Sequence, residues 1–210
     1  MRPHLTLTRP LVRILLSLSS SMLAWGSIAR AQATPVATPA SVSADLQAAK
    51  AALAKYADPY VAIKEGYLST LACIDFPKGA KDGPVDYPPG AMGVHFINLA
   101  NIGPKLDPTK PQALVYEPVG DKLVLAGAEW FMPEQVAGGT VPSIFGQTLA
   151  GPMDGHEPIM PATLRHYDLH VWLWKNSPRG MFSSTNSAVK CKRGAAYTVV
   201  VAEDHKAHAR

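Results

Sequence analysis

Two histidines and an aspartate alternate in Arg165-His166-Tyr167-Asp168-Leu169-His170-Val171-Trp172-Leu173-Trp174. Read as a strand, this stretch puts His166, Asp168, His170, Trp172 and Trp174 on one face. Tyr167, Leu169, Val171 and Leu173 fall on the other, an ordinary core face. The first face sets imidazoles and a carboxylate beside two indoles, which is the pattern of a site wall. Three more strand-like segments each bring one ionisable group. They are His95 in Gly93-Val94-His95-Phe96, Glu117 in Val115-Tyr116-Glu117-Pro118, and Glu129 in Ala128-Glu129-Trp130. Alternation gives Glu129 the same side as Leu123, Leu125 and Phe131, and gives His95 the same side as Ile97 and Leu99. An ionisable group on an apolar face is costly to bury unless it is paired, hydrogen-bonded or metal-bound.

Histidines with one or two carboxylates on adjacent strands suit Zn²⁺, Cu²⁺ or Fe²⁺. The candidate ligands are His95, Glu129 and His170, with Zn²⁺ or Cu²⁺ as the leading ions. His156, in Asp154-Gly155-His156-Glu157, is a candidate fourth ligand from a loop able to close over a sheet-borne site. One shared ion requires these groups to lie well within about 10 Å of one another, because metal–ligand bonds are only about 2.0–2.2 Å. Two other readings use the same residues. In one, His95 or His170 is a general acid–base oriented by Glu129, in an aromatic pocket bounded by Trp172 and Trp174. In the other, the histidines are structural and the chain is a non-catalytic envelope binding module. Glu117, next to Pro118, reads as an acid at a strand end, and His166 as an exposed residue at a strand entrance. His205 and His208 belong to a solvated tail. There is no G-x-S-x-G, P-loop or dinucleotide fingerprint, and nothing in the residues names a reaction or substrate.

The N-terminus reads as a secretory signal. Arg2, Arg9 and Arg13 precede an apolar run from Ile14 to about Ala24, and Ala31-Gln32-Ala33 is an A-x-A cleavage site. The run is shorter than the roughly 20 residues a membrane span needs. The expected compartment is periplasmic or secreted, with no membrane span after cleavage. The whole chain of 210 residues carries 20 Lys+Arg against 16 Asp+Glu. Removal of residues 1–33, which hold four Arg and no acid, leaves 16 against 16. Without a basic stripe, nucleic acid is excluded as a partner; a metal ion or small molecule is expected instead. In an oxidising compartment Cys73 and Cys191 are expected to form a disulfide.

The elements that must position these groups follow from periodicity and punctuation. After a leader (1–33) and a flexible Thr/Pro/Ala linker (34–42), a single domain is expected over 43–202, followed by a polar tail (203–210). A helix capped by Ser43 carries Leu46, Ala49, Leu53, Tyr56, Tyr60 and Ile63 on one stripe. Asp58-Pro59 reads as a fresh cap that kinks or splits it before Gly66. Residues 74–91, rich in Pro and Gly, read as a loop. Strands follow at about 92–99, 113–117 and 122–132, with a turn at Val119-Gly120-Asp121-Lys122. Residues 133–164 show no periodicity, and 197–202 close the order as a last strand. Helices first and strands afterwards predict an α+β fold, with an N-terminal helix or kinked helix pair packed on a mostly antiparallel sheet.

In combination, several segments resemble an uncharacterised family of secreted bacterial proteins. They are Gly66-Tyr67, Met92-Gly93-Val94-His95-Phe96-Ile97-Asn98, Ala128-Glu129-Trp130, and Leu169-His170-Val171-Trp172-Leu173-Trp174 continuing to Gly180-Met181-Phe182. The corresponding patterns are a G-Y pair, M-G-x-H-[FY]-x-N and L-H-x-W-x-W-x-x-N-P-x-G-[MV]-F. Ser177 stands where the pattern has Asn, a departure confined to a turn. The resemblance implies His95, Glu129 and His170 as the matching positions and supplies no reaction.

Overall fold

Alanine-rich sequence starts the fold as helix. The structure, a computed structural model, describes residues 39–157, 160–192 and 197–201. The expected leader, residues 34–38 of the linker, and the tail with His205 and His208 lie outside the described residues. Helix α1 spans Pro39–Leu53, so it begins ahead of the expected Ser43 cap. Proline suits a first helical turn, where its missing N–H has no intrahelical partner to lose. A 3₁₀ turn, Ala54–Ala57, leads to α2, Pro59–Lys64. Asp58 caps α2 as expected: its side chain accepts from Tyr60 N at 3.0 Å, with Pro59 at the first position. The tighter turn and the extended Asp58 reset the helical phase. Leu53, Tyr56 and Ala62 therefore face the core, whereas Tyr60 and Ile63, expected on the same stripe, are exposed.

Gly66, at φ +90°, ends α2 in a left-handed turn. Gly66 N donates to Ile63 O and Tyr67 N to Ala62 O, the paired bonds of a Schellman motif. The reversal swings Tyr67 into the core, where its hydroxyl donates to Pro111 O at 3.0 Å.

Among the described residues eleven strands follow: β1 Leu68–Phe76, β2 Ala80–Asp82, β3 Val85–Tyr87, β4 Gly90–Ile97, β5 Ala113–Val119, β6 Lys122–Pro133, β7 Ser143–Ile144, β8 Gln147–Thr148, β9 Ala150–Met153, β10 His166–Val171 and β11 Thr198–Val201. A four-residue helix, α3 (Glu134–Ala137), follows β6. Seven of the strands form one mixed sheet in the order β11-β1-β4-β5-β6-β10-β9. Only the β1–β11 pairing is parallel; the other five are antiparallel. Residues 74–91, expected as a loop, instead hold the end of β1, the β2–β3 hairpin and the start of β4. Apart from Gly90, which opens β4 opposite Phe76, their prolines and glycines sit at turns rather than inside ladders, so the punctuation marks a tight hairpin. The segment after β6 likewise contains β7, β8 and β9.

The helices pack on one face of the sheet. Ala49, Leu53, Tyr56 and Ala62 join Val94, Phe96, Leu114, Tyr116, Ala128, Trp130 and Leu169 in one apolar cluster. The opposite face is covered by the β2–β3 hairpin and by residues 183–191, which cross it as a strap. Tyr87 stacks on Phe76 at 4.7 Å between centroids. Asn186 pairs with Ala91 in a β-bridge, and Thr185 Oγ1 donates to Pro88 O. Cys73 and Cys191 form a disulfide, with Cα atoms 5.6 Å apart and a sequence separation of 118. It fastens the end of the strap to β1. On the chain-entropy model a loop of this length stabilises the fold by about 4–5 kcal/mol. Reductant, or Cys73→Ala with Cys191→Ala, should lower the urea midpoint accordingly. An unchanged midpoint in fully reduced protein would refute this.

Candidate metal centre

Three strands deliver the first group of donors to the covered face. β10 contributes His170 and β6 contributes Glu129, directly opposite each other in the ladder. His95 comes from β4, with β5 between it and β6. Convergence across that intervening strand needs small side chains. Ala113 lies opposite Glu129, and Val115 lies between His95 and Gly127.

Two bulges aim these side chains. In β6, Val115 pairs with Gly127 but Tyr116 pairs with Leu125, so Ala126 is an extra residue. Each inserted residue flips the alternation beyond it. Leu123 and Leu125, expected beside Glu129, therefore pack in the helix-side cluster. In β4, Ile74 pairs with Gly93 and Asp75 with Ala91, leaving Met92 extra. Gly93 sits at φ +90°, and a Cβ there would meet Tyr116 O at 2.5 Å. His95 and Glu129 each stand three residues beyond such a bulge.

The donor atoms meet. His95 Nε2 lies 3.3 Å from His170 Nε2 and 3.3 Å from Glu129 Oε2, and His170 Nε2 lies 3.8 Å from the same oxygen. Ligands on a tetrahedral ion with bonds of about 2.0–2.2 Å stand about 3.4 Å apart. His95, Glu129 and His170 are at most 5% exposed. His95 Nδ1 and His170 Nδ1 are buried without a hydrogen-bond partner among the described residues. Such orphaned atoms typically cost about 1–3 kcal/mol each.

The remaining candidates sort as follows. His156, expected as a fourth ligand, stands with His166 and Asp168 in a second group rather than with the first three. His166, expected to be exposed at a strand entrance, is fully buried, because β9 and residues 154–157 cover the end of β10. Its alternation with Asp168 and His170 was the signal for that. Glu117, expected as an exposed acid, is buried and paired with Lys175 Nζ at 2.7 Å. It also accepts from Lys190 N and so anchors the strap. Trp172 lies nearly parallel to His170, 6.1 Å between centroids, and donates to Ser183 O. Trp174 packs with the helix-side cluster instead. β10 ends at Val171, and Trp174 N and Lys175 N both turn back to Ala126 O, so the alternation stops there.

Burial sets the protonation of the site. It holds the His170 imidazole down at about 4 and the His156 imidazole at about 3, and lowers His166 as well. Burial, with Glu129 alongside, raises the Asp168 carboxyl well above the ordinary range. Burial also pushes Glu129 up, but His170 and His95 together outweigh it and hold this carboxyl low.

No family model matches the chain, and no curated protein or solved structure does so.

A pH dependence follows for metal-free protein. A histidine with a lowered folded pKa is protonated more readily in the unfolded chain, so stability falls as pH drops below about 6.5. His156, His166 and His170 act in this direction. Asp168, with its raised pKa, opposes them with one proton. The net sign is loss of stability between pH 6.5 and about 4, at about 1.4 kcal/mol per pH unit for each net proton. Thermal unfolding of chelator-treated protein should show a midpoint that falls across this range; a flat or rising midpoint contradicts it.

Proposed function

We propose that the chain is an extracytoplasmic divalent-metal-binding protein whose ion is held by His95, Glu129 and His170. The observation that carries this reading is the meeting of three buried donor atoms at 3.3, 3.3 and 3.8 Å. That spacing suits ligands sharing one ion and is long for direct hydrogen bonds. The unpartnered ring nitrogens support it, because a neutral imidazole that ligates through Nε2 keeps its proton on Nδ1. Asp168 Oδ2 lies 4.0 Å from His170 Nδ1, where a small shift would make it the carboxylate that orients that ring. Both cysteines are engaged in the disulfide, so the donors are nitrogen and oxygen. This favours a borderline ion such as Zn²⁺ or Cu²⁺ over Cu(I). Three protein ligands leave a position at which a bound metal can polarise a water or a substrate oxygen.

The disulfide and the expected leader support a periplasmic or secreted setting, as does the resemblance to a family of secreted bacterial proteins. Among the described residues no helix is long and apolar enough to cross a membrane. The acid–base reading draws less support. Its aromatic pocket needs both indoles beside the histidines, and Trp174 lies on the other side of the sheet.

Metal analysis of untagged protein tests the proposal. Purified protein should carry stoichiometric metal, and added Zn²⁺ or Cu²⁺ at about 100 times its dissociation constant should stabilise metal-free protein by about 2.7 kcal/mol. His170→Ala should weaken binding by more than about 100-fold, beyond the usual effect of losing an orienting partner. His205→Ala should leave affinity unchanged. Absence of metal together with no stabilisation would sink the reading.

A further inference from the structure

A second group of donors lies beside the first. His156, His166 and Asp168 each offer one atom, and these atoms lie within 4.8 Å of one another. The ring of His166 is already oriented. Its Nδ1 lies 3.2 Å from Leu164 O, and a carbonyl oxygen only accepts, so Nδ1 carries a proton. Anchoring one ring nitrogen on a backbone carbonyl is how ligating histidines are commonly held, with the other nitrogen aimed at the ion.

Among the described residues that other nitrogen has no hydrogen-bond partner. His166 Nε2 faces Asp168 Oδ2 at 3.9 Å, and neither atom finds a hydrogen-bond partner among the described residues. If Nε2 is bare, a lone pair faces a carboxyl oxygen. If it is protonated, the proton reaches no acceptor, since 3.9 Å is too long for a hydrogen bond. Either state leaves buried polar atoms unsatisfied. An ion between them satisfies both, because two ligands with bonds of about 2.1 Å can stand up to about 4.2 Å apart. His156 supplies the third donor from the covering loop. Its ring meets that of His166 edge-on at 5.6 Å, and Tyr87 Oη lies 3.4 Å from its Nε2. Tyr87 is itself fixed by its stack on Phe76 and its contact with Met153 Sδ.

We propose that His156, His166 and Asp168 form a second divalent-cation site, and that the chain holds a pair of first-row divalent ions. The second site stands on its own residues; the pair rests also on the function proposed above. Asp168 is the link between the groups, with Oδ2 3.9 Å from His166 Nε2 and 4.0 Å from His170 Nδ1. Both sites offer two histidines and one carboxylate, a donor set that suits Zn²⁺, Fe²⁺ or Co²⁺.

Co²⁺ titration of metal-stripped, untagged full-length protein distinguishes the two sites, with d–d absorption as one readout and metal per chain after desalting as the other. Wild type should take up two ions. His156→Ala and His95→Ala should each retain one, and the double variant none. His156 is only partly buried on a loop, so its replacement spares the core. His166→Ala provides a second check where circular dichroism shows native fold. One ion in wild type that survives His156→Ala but not His95→Ala overturns the second site and leaves the first. One ion lost in His156→Ala but kept in His95→Ala overturns the first and leaves the second. Two ions retained in His156→Ala also overturn the second site, and no ion at all overturns both.

Discussion

Glu129 is a carboxylate at 5% exposure in the middle of a seven-stranded sheet, and much of the surrounding architecture serves to make that tolerable. An unpaired charge in such a place costs several kcal/mol even after relaxation. Two imidazoles converge on it, one from the neighbouring strand and one from two strands away. The nearer is ensured by register, since Glu129 and His170 are direct partners. The farther needs a curled sheet, small residues on the strand between, and bulges that turn both side chains to the same side. Each of these features weakens regular pairing locally. Their concentration around one carboxylate argues that the site, rather than sheet stability, selected them.

The two faces of the sheet divide the work. The helix side is apolar, and helix, 3₁₀ turn and strands share one cluster. The other side gives up part of its apolar burial to hold Glu129, Asp168, His95, His166 and His170. The β2–β3 hairpin and the strap cover it, and polar contacts help hold these covers in place: Lys190 N to Glu117, Thr185 to Pro88 O, and Asn186 to Lys175 O and Asn176 O. The disulfide closes the end of the strap. A polar interior on one side is compatible with a stable domain because the helix side, the covalent tie and the apolar contacts of the covers (Val85 and Tyr87 of the hairpin, Val189 of the strap) together offset it.

Much of this was legible in the sequence. Strict alternation over 166–171 marked β10 and its polar face, because a strand with one functional face has no other way to write it. Asp58-Pro59 marked the break between helices, since both residues act locally. The separate entrances of His95 and Glu129 could be seen, but their meeting depends on pairing order, which periodicity does not encode. Bulges were invisible for the same reason: Ala126 is surplus only relative to Val115 and Tyr116 on another strand. The covering hairpin was hidden by its own turns, as prolines and glycines outnumber the three residues of each short strand. His156 could be recognised as a loop donor, yet its partners are set by where residues 154–157 fold, a tertiary matter.

Glu129 and Asp168 lie on one face of adjacent strands, diagonally placed through the pairs Glu129 with His170 and Phe131 with Asp168. Two carboxylates so placed do not both ionise readily in a buried setting. Burial first, and then the neighbouring Glu129, raise the pKa of Asp168, and protonation relieves both costs. Burial lowers the rings of His166 and His170, so they charge reluctantly, and what His170 and His95 do contribute favours the Glu129 carboxylate. Positive charge is thus scarce where the acceptors concentrate, a shortage that a cation held between imidazole and carboxylate would remove. The atoms able to hold a metal ion are the same few that take a proton, so an ion bound there would compete with protons across the polar face of this sheet.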